Sequence, residues 1–249
     1  PNMTLALEEH PDLATRDISS LRAGATLGSP QQVQSLIDLG VSEACQIYGL
    51  TESYANCSLN DAHDSLERRT QSIGKVLPGS EMIIVDMGTG ERMPTGEVGE
   101  IRLKGYVTKG YYKDPEKTAE AFDRQGYFRT GDLGFVDADG YFYFRGRAKE
   151  LIKTGGINVS PAEIEEVLMS HTAVELAYVV GLKDARRDEI VAAVIIAKEA
   201  VEADALLALC RDSLAVYKVP RKVKFVTYAE LPLTSTGKLQ KNRIKDLFE

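Results

Sequence analysis

Two long apolar runs, VELAYVVGL (174–182) and IVAAVIIA (190–197), constrain the fold of this chain most tightly. A helix precedes them: Ser160-Pro161-Ala162-Glu163 has the form of a capping box with proline at the first helical position. Further helices are expected near 203–214 and near 240–248. Strand and helix alternation of this kind implies a compact α+β domain of about a hundred residues. From Ile73 to Arg147 the texture is different. EMIIVD, EVGEIRLKG and the hairpin GFVDADGYFYFRGR alternate apolar with polar side chains, Asp139-Gly140 supplies a tight turn, and a short helix, PEKTAEAF, interrupts them. This stretch predicts a small, strongly twisted β-subdomain. The boundary is placed at Gly146-Arg147, giving domains 1–146, with the β-subdomain over about 73–146, and 147–249. Earlier still, Ser29-Pro30 followed by Val33, Leu36 and Ile37 predicts an N-capped helix that stops at Gly40, and residues 45–48 a short strand. The segment before Ile73 is too short to be an independent domain.

Composition removes several function classes. A net charge of -7 argues against a general nucleic-acid binder. The basic final stretch, from Lys218 to Lys245, suits a solvated surface as well as an anion-facing one. Cys45, Cys57 and Cys210 make neither a disulfide framework nor a zinc spacing, and His10, His63 and His171 are equally scattered. No apolar run approaches membrane-spanning length, and PNMTLALEEH lacks the features of a signal peptide, so a reducing, cytoplasmic location is expected.

Four stretches carry more Gly, Thr, Asp and Lys than a core needs. Tyr48-Gly49-Leu50-Thr51-Glu52 ends a strand with an aromatic ring, a hydroxyl and a carboxylate. Those groups suit a base, a phosphate oxygen and Mg²⁺, although a plain turn has the same composition. In Tyr127-Phe128-Arg129-Thr130-Gly131-Asp132-Leu133 a buried aspartate beside a glycine turn has acceptors enough for two ribose hydroxyls. A turn-capping aspartate is the alternative. The run from Gly146 to Gly156 crowds Arg147, Lys149 and Lys153 beside glycines, as a hinge or as a solvated linker. PLTSTGKLQK (232–241) resembles a phosphate loop but is not one. Pro232 stands where the first glycine belongs, and Leu239 follows the lysine where Ser or Thr is needed. What remains is Lys238 on a polar loop, a movable point charge or an exposed turn lysine.

In this order the four stretches are far more specific than any one. With GEVGEIRLKGYVTKGYYKDPEKTAEAF, GRAKELIKTGGINVSPAEIEEVL and LAVYKVPRKVKFV, the chain resembles the C-terminal half of the adenylate-forming superfamily from about Arg22 onward. That superfamily comprises acyl-CoA synthetases, peptide-synthetase adenylation domains and luciferases. The resemblance implies an α/β and α+β architecture: a remnant of the large adenylating domain, then a compact, mobile C-terminal lid. It also implies two steps, in which a carboxylic acid and ATP give acyl-adenylate and a thiol then takes the acyl group. On that model Tyr48 stacks near adenine with Gly49 beside it, Thr51 touches phosphate and Glu52 helps hold Mg²⁺. Asp132 accepts from the ribose and Arg147 reaches ribose or phosphate. Gly24-Ala25-Thr26 lines the adenine and acyl pocket. Lys238 sits between substrate carboxylate and α-phosphate, offsetting charge as two anions approach. Lys149 takes the hinge position. Rotation of the lid withdraws Lys238, brings Lys153 to the adenylate and lets the pantetheine of CoA pass Gly155 and Gly156.

One departure is an absence. Full-length members are roughly twice as long, and their pyrophosphate loop lies upstream of YGLTES. The expectation is therefore a fragment that does not adenylate by itself. Its signature segments look closer to fatty-acyl and aryl-CoA ligases, and no carrier-protein domain follows Glu249, which favours CoA as acceptor. Loading of a carrier protein is the alternative, and a non-catalytic piece that self-associates through exposed sheet edges is another.

Overall fold

The computed structural model describes residues 2–8, 10–234 and 239–248. The chain divides into two compact units, Pro1–Phe144 and Arg145–Glu249.

The first unit opens with α1 (Asn2–Glu8) and then a βαβ element: β1 (Ala23–Thr26), α2 (Pro30–Asp38) and β2 (Glu43–Tyr48). The two strands are parallel, with Ala23 opposite Glu43 and Thr26 opposite Gln46. A parallel pair needs a crossover, and α2 provides it. Ser29 starts that helix as expected: its hydroxyl accepts from the Gln32 N–H, and the Gln32 side chain accepts from the Ser29 N–H. Gly40, at φ +100°, ends it. The sheet continues through β3 (Ser58–Leu59), α3 (Leu66–Gln71) follows, and β4 (Lys75–Val76) completes the order β1-β2-β3-β4. In this sheet β1 is an edge strand, and Ala23, Gly24 and Ala25 are exposed on it, as are the flanking Leu21 and Leu27.

A second sheet has the order β5 (Glu81–Val85), β6 (Gly99–Lys104), β7 (Phe128–Val136), β8 (Phe142–Arg147). The expected helix PEKTAEAF is α4 (Pro115–Ala121), with Asp114 accepting from the Lys117 N–H. Both sheets contribute to one core, Tyr48 and Cys57 from the first packing with Ile84, Ile101, Leu103, Phe128 and Phe142. The sequence suggests a turn at Gly131, but Phe128–Val136 is one strand with a bulge. Glu100 pairs with Leu133 and Arg102 with Arg129, so Thr130, Gly131 and Asp132 face Ile101 alone. Gly131 takes the left-handed angle that the bulge requires, φ +69°. Beneath it runs a buried ion network in which Arg102 donates to Glu100 (2.9 Å) and Asp123 (2.8 Å).

In the second unit β9 (Ile152–Thr154) and β10 (Ile157–Val159) form a tight hairpin before α5 (Pro161–Met169). The two apolar runs are β11 (Val174–Asp184) and β12 (Asp188–Ala197), an antiparallel pair in the order β10-β9-β12-β11, with β12 inside the sheet and β11 at its end. After α6 (Ala203–Ser213), β13 (Lys222–Phe225) joins β12 in parallel. The apolar density of β12 has a plain cause: both of its faces are covered. Val191, Ala193 and Ile195 pack with Ile164, Leu168, Leu206 and Cys210. Val194 and Ile196 pack on the other face with Val226, Leu231 and Ile244.

Two local expectations need correction. The capping box at Ser160 does not form. The Ser160 hydroxyl donates to the Arg145 carbonyl (2.6 Å) and Glu163 receives Lys218 instead (2.5 Å), so tertiary partners outcompete the local pair. The last helix is a 3₁₀ helix, Lys241–Phe248, anchored by the fully buried Ile244.

Candidate functional site

The first polar constellation lies at the end of β2. Gly49 follows Tyr48 directly, and a Cβ there would lie 1.5 Å from the Ala55 carbonyl oxygen, so only glycine permits this fold-back. The 3₁₀ turn Thr51–Ser53 comes next, closed by the Ser53 hydroxyl, which accepts from the Leu50 N–H (2.9 Å). Tyr54 and Ala55 then take left-handed angles, φ +54° and +96°, an arrangement that costs backbone energy and is common at ligand clamps. Thr51 is exposed. Glu52 is half-buried and held twice: its carboxylate accepts from the Tyr111 hydroxyl (2.9 Å), and its carbonyl from the Thr108 N–H (2.6 Å). Burial and the Glu52 carboxylate push the Tyr111 phenol up. Neither Tyr111 nor Thr108 is among the sequence candidates, although both lie inside the GYVTKGYYKDPEKT segment, where the adjacent aromatic pair is the available signal.

Asp132 is the deepest acid of the first unit, 1% exposed, and the Tyr48 hydroxyl donates to its Oδ2 (2.8 Å). Burial, reinforced by that carboxylate, pushes the Tyr48 phenol far up, so it remains a donor. The bulge explains the placement: the Asp132 N–H bonds the Thr130 hydroxyl (3.0 Å), which donates to the Ile101 carbonyl (2.6 Å). Tyr48 itself differs from a ring open to a base. It is 8% exposed and is a member of the core, with Phe144 at 6.5 Å between ring centres. Gly24 and Ala25 lie on the exposed edge strand, opposite Ala44 and Cys45.

The second unit holds the remaining candidates. Arg147 and Lys149 are exposed at the end of β8 and in the 3₁₀ turn after it. Lys153 lies on β9, its N–H donating to Glu189 (2.8 Å), and lines an open cavity of about 670 Å³ with Leu151, Lys183, Asp184, Asp188 and Glu189. Gly155 and Gly156 form the two-residue turn between Thr154 and Ile157, at φ +59° and +81°. Both are exposed, and a Cβ on either meets no atom within 4 Å, so the hairpin presents bare backbone. Lys238 falls outside the described residues.

Among the described residues no group of three or more His, Cys, Asp or Glu could hold a metal. A lone carboxylate such as Glu52 fits Mg²⁺ that arrives with a nucleotide, because that ion is commonly shared between one or two carboxylates and substrate phosphates. No helix of the described residues is long and apolar enough to cross a membrane.

Residues 1–112 match the model of the AMP-binding enzyme family, and residues 163–238 that of the AMP-binding enzyme C-terminal domain. The chain belongs to the adenylate-forming enzymes. Among curated adenylate-forming relatives, the mitochondrial medium-chain acyl-CoA ligase ACSF2 of Danio rerio is 38% identical over 256 residues, spanning 100% of this chain and 42% of the relative. Two solved structures share the fold. An ATP-bound RpMatB-BxBclM chimera matches with a TM-score of 0.88 at 32% identity, over 100% of this chain and 50% of that one. The anthranilate CoA ligase AuaEII in complex with anthranoyl-AMP matches with 0.83 at 33%, over 98% and 48%. The chain therefore spans about half the length of these proteins.

Proposed function

We propose that this chain supplies the C-terminal half of an ATP-dependent carboxylic acid–CoA ligase acting on a fatty or aryl acid. The observation that carries the reading is the buried Tyr48–Asp132 pair beside the Gly49 fold-back, in a family whose matched members include CoA ligases. In the first step a carboxylate oxygen attacks the α-phosphorus of ATP, and the bond to the bridging oxygen breaks, releasing pyrophosphate. In the second, the CoA sulfur attacks the acyl carbon and AMP leaves. Asp132, oriented by Tyr48, accepts from ribose hydroxyls. Tyr48 and Gly49, with Gly24 and Ala25, bound the adenine side, and Thr51 donates to a phosphate oxygen. Glu52 would hold Mg²⁺, which neutralises phosphate charge when bound. Lys238 offsets the charge that builds between the two anions. Arg147 approaches the ribose or phosphate, Lys149 is the hinge, and Lys153 meets the adenylate in the second step, when pantetheine passes the backbone of Gly155 and Gly156.

The chain's own cysteines suit an external acceptor thiol. Burial pushes the thiols of Cys45, Cys57 and Cys210 up, that of Cys57 to about 11, so none is primed as an acyl acceptor. Three buried free thiols also accord with a reducing, cytoplasmic setting. The decisive experiment separates the half-reactions in the full-length enzyme. Lys238→Ala abolishes ATP–pyrophosphate exchange yet leaves transfer from supplied acyl-adenylate to CoA; equal loss of both would refute the role of the lysine. We further propose that the 249-residue chain does not adenylate alone. Exchange at a rate comparable to the full-length enzyme overturns this, and a carrier protein outcompeting CoA in the transfer assay overturns the acceptor.

A further inference from the structure

The residues on either side of the Lys238 loop are closed into a clamp. Leu233 and Leu239 form an antiparallel bridge. The Gln240 N–H donates to the Pro232 carbonyl (2.8 Å), and its side-chain amide to the Leu233 carbonyl (3.1 Å). Lys241 comes next. Its ammonium lies 3.4 Å from Glu165 Oε1 on α5 and 3.4 Å from Glu150 Oε2, the neighbour of Lys149. One cation thus ties together the base of the loop, the helix α5 and the segment that leads into β9.

This is not an ordinary surface pair. The Glu165 side chain is 11% exposed and faces the sheet, where it accepts from the Val179 N–H (3.0 Å). Burial pushes its carboxyl up, and the Lys241 charge opposes that rise. A buried acid without its cation is costly, so the pairing specifies where Lys241, and hence Gln240, must sit. Ile244 in the second core holds the 3₁₀ helix independently. Lys241 is therefore not needed to keep the chain's end docked; it fixes how the chain enters the loop.

We infer that Lys241 is a positioning residue, which through Glu165 and Glu150 sets the base of the loop carrying Lys238. The inference rests on the role of Lys238 given above. Removing the anchor leaves the charge on Lys238 but frees the bracketing Leu239 and Gln240, and misplacement of a catalytic group by about 1 Å is worth up to a hundredfold in rate. The step that uses Lys238 slows, and the step that does not is spared.

The test uses the full-length enzyme with Lys241→Met, Lys241→Arg, Glu165→Gln and Lys238→Ala. Lys241→Met and Glu165→Gln are expected to slow pyrophosphate exchange about tenfold or more, with transfer from supplied acyl-adenylate held within about twofold. Lys241→Arg keeps the charge and restores most of the exchange rate. Amide hydrogen exchange supplies a readout that needs no activity: Gln240 and Arg243 lose protection in Lys241→Met, while the amides of β12 keep theirs. Equal slowing of both half-reactions, or unchanged protection at Gln240, overturns the inference. If Lys238→Ala abolishes adenylation and Lys241→Met does not alter it, the anchor alone fails. If Lys238→Ala leaves adenylation intact, the reading of the loop fails and the positioning role falls with it.

Discussion

Two glycine turns, one in each unit, look alike in sequence and are glycine for opposite reasons. Gly49 is a matter of space, because a methyl group there would overlap the Ala55 carbonyl. Gly155 and Gly156 are a matter of angle. They have open space around them, but their left-handed backbone is one that other residues enter at a cost. The first kind fixes a loop against the rest of its unit and presents Thr51 and Glu52 from a strained frame. The second shapes a hairpin whose outer surface is backbone. On the proposed function, the first would suit a nucleotide and the second the long thin thiol of CoA.

Four substitutions test this contrast. Gly49→Ala forces the 49–55 loop to move and is expected to cost about 3 kcal/mol, read by denaturant unfolding; a loss under 1 kcal/mol means that the fold-back is not space-limited. Tyr48→Phe removes one donor from the buried Asp132 without changing the packed ring. The expected cost is about 2 kcal/mol, and weaker AMP binding in the full-length enzyme should accompany it; unchanged affinity would argue against the ribose role proposed for Asp132. Gly155→Ala is the mildest, about 1 kcal/mol, and Gly155→Asn milder still, because asparagine tolerates the left-handed region. If alanine and asparagine cost the same, space and not angle governs that turn too.

The same contrast governs how much could be read in advance. Local physics was legible wherever the controlling partner lies within a few residues. The Ser29-capped helix, the helix in PEKTAEAF and the Asp139-Gly140 turn all form as the sequence suggests, and the structure adds their local partners Gln32, Asp114 and Asp137. Where a distant group competes, the local pattern misleads. Ser160 and Glu163 make a capping box on paper, yet Arg145 and Lys218 take their side chains. The Gly131 turn proves to be a bulge, because pairing with β6 continues on both sides of it. Tyr111 on Glu52 and Lys241 on Glu165 join residues 59 and 76 positions apart, and no spacing rule anticipates either.

Composition and motif order sufficed for the family, for the alternation of elements and for the residue types a nucleotide would need. Those properties follow from local propensity and from chemistry carried by single side chains. The tertiary structure assigned the partners. It put Tyr48 on Asp132, laid β12 between two covered faces, and converted Ser160 from a cap into a tie to Arg145. The reason is energetic: a buried polar group left without a partner costs more than a local hydrogen bond returns, so long-range pairing overrules the nearest neighbour.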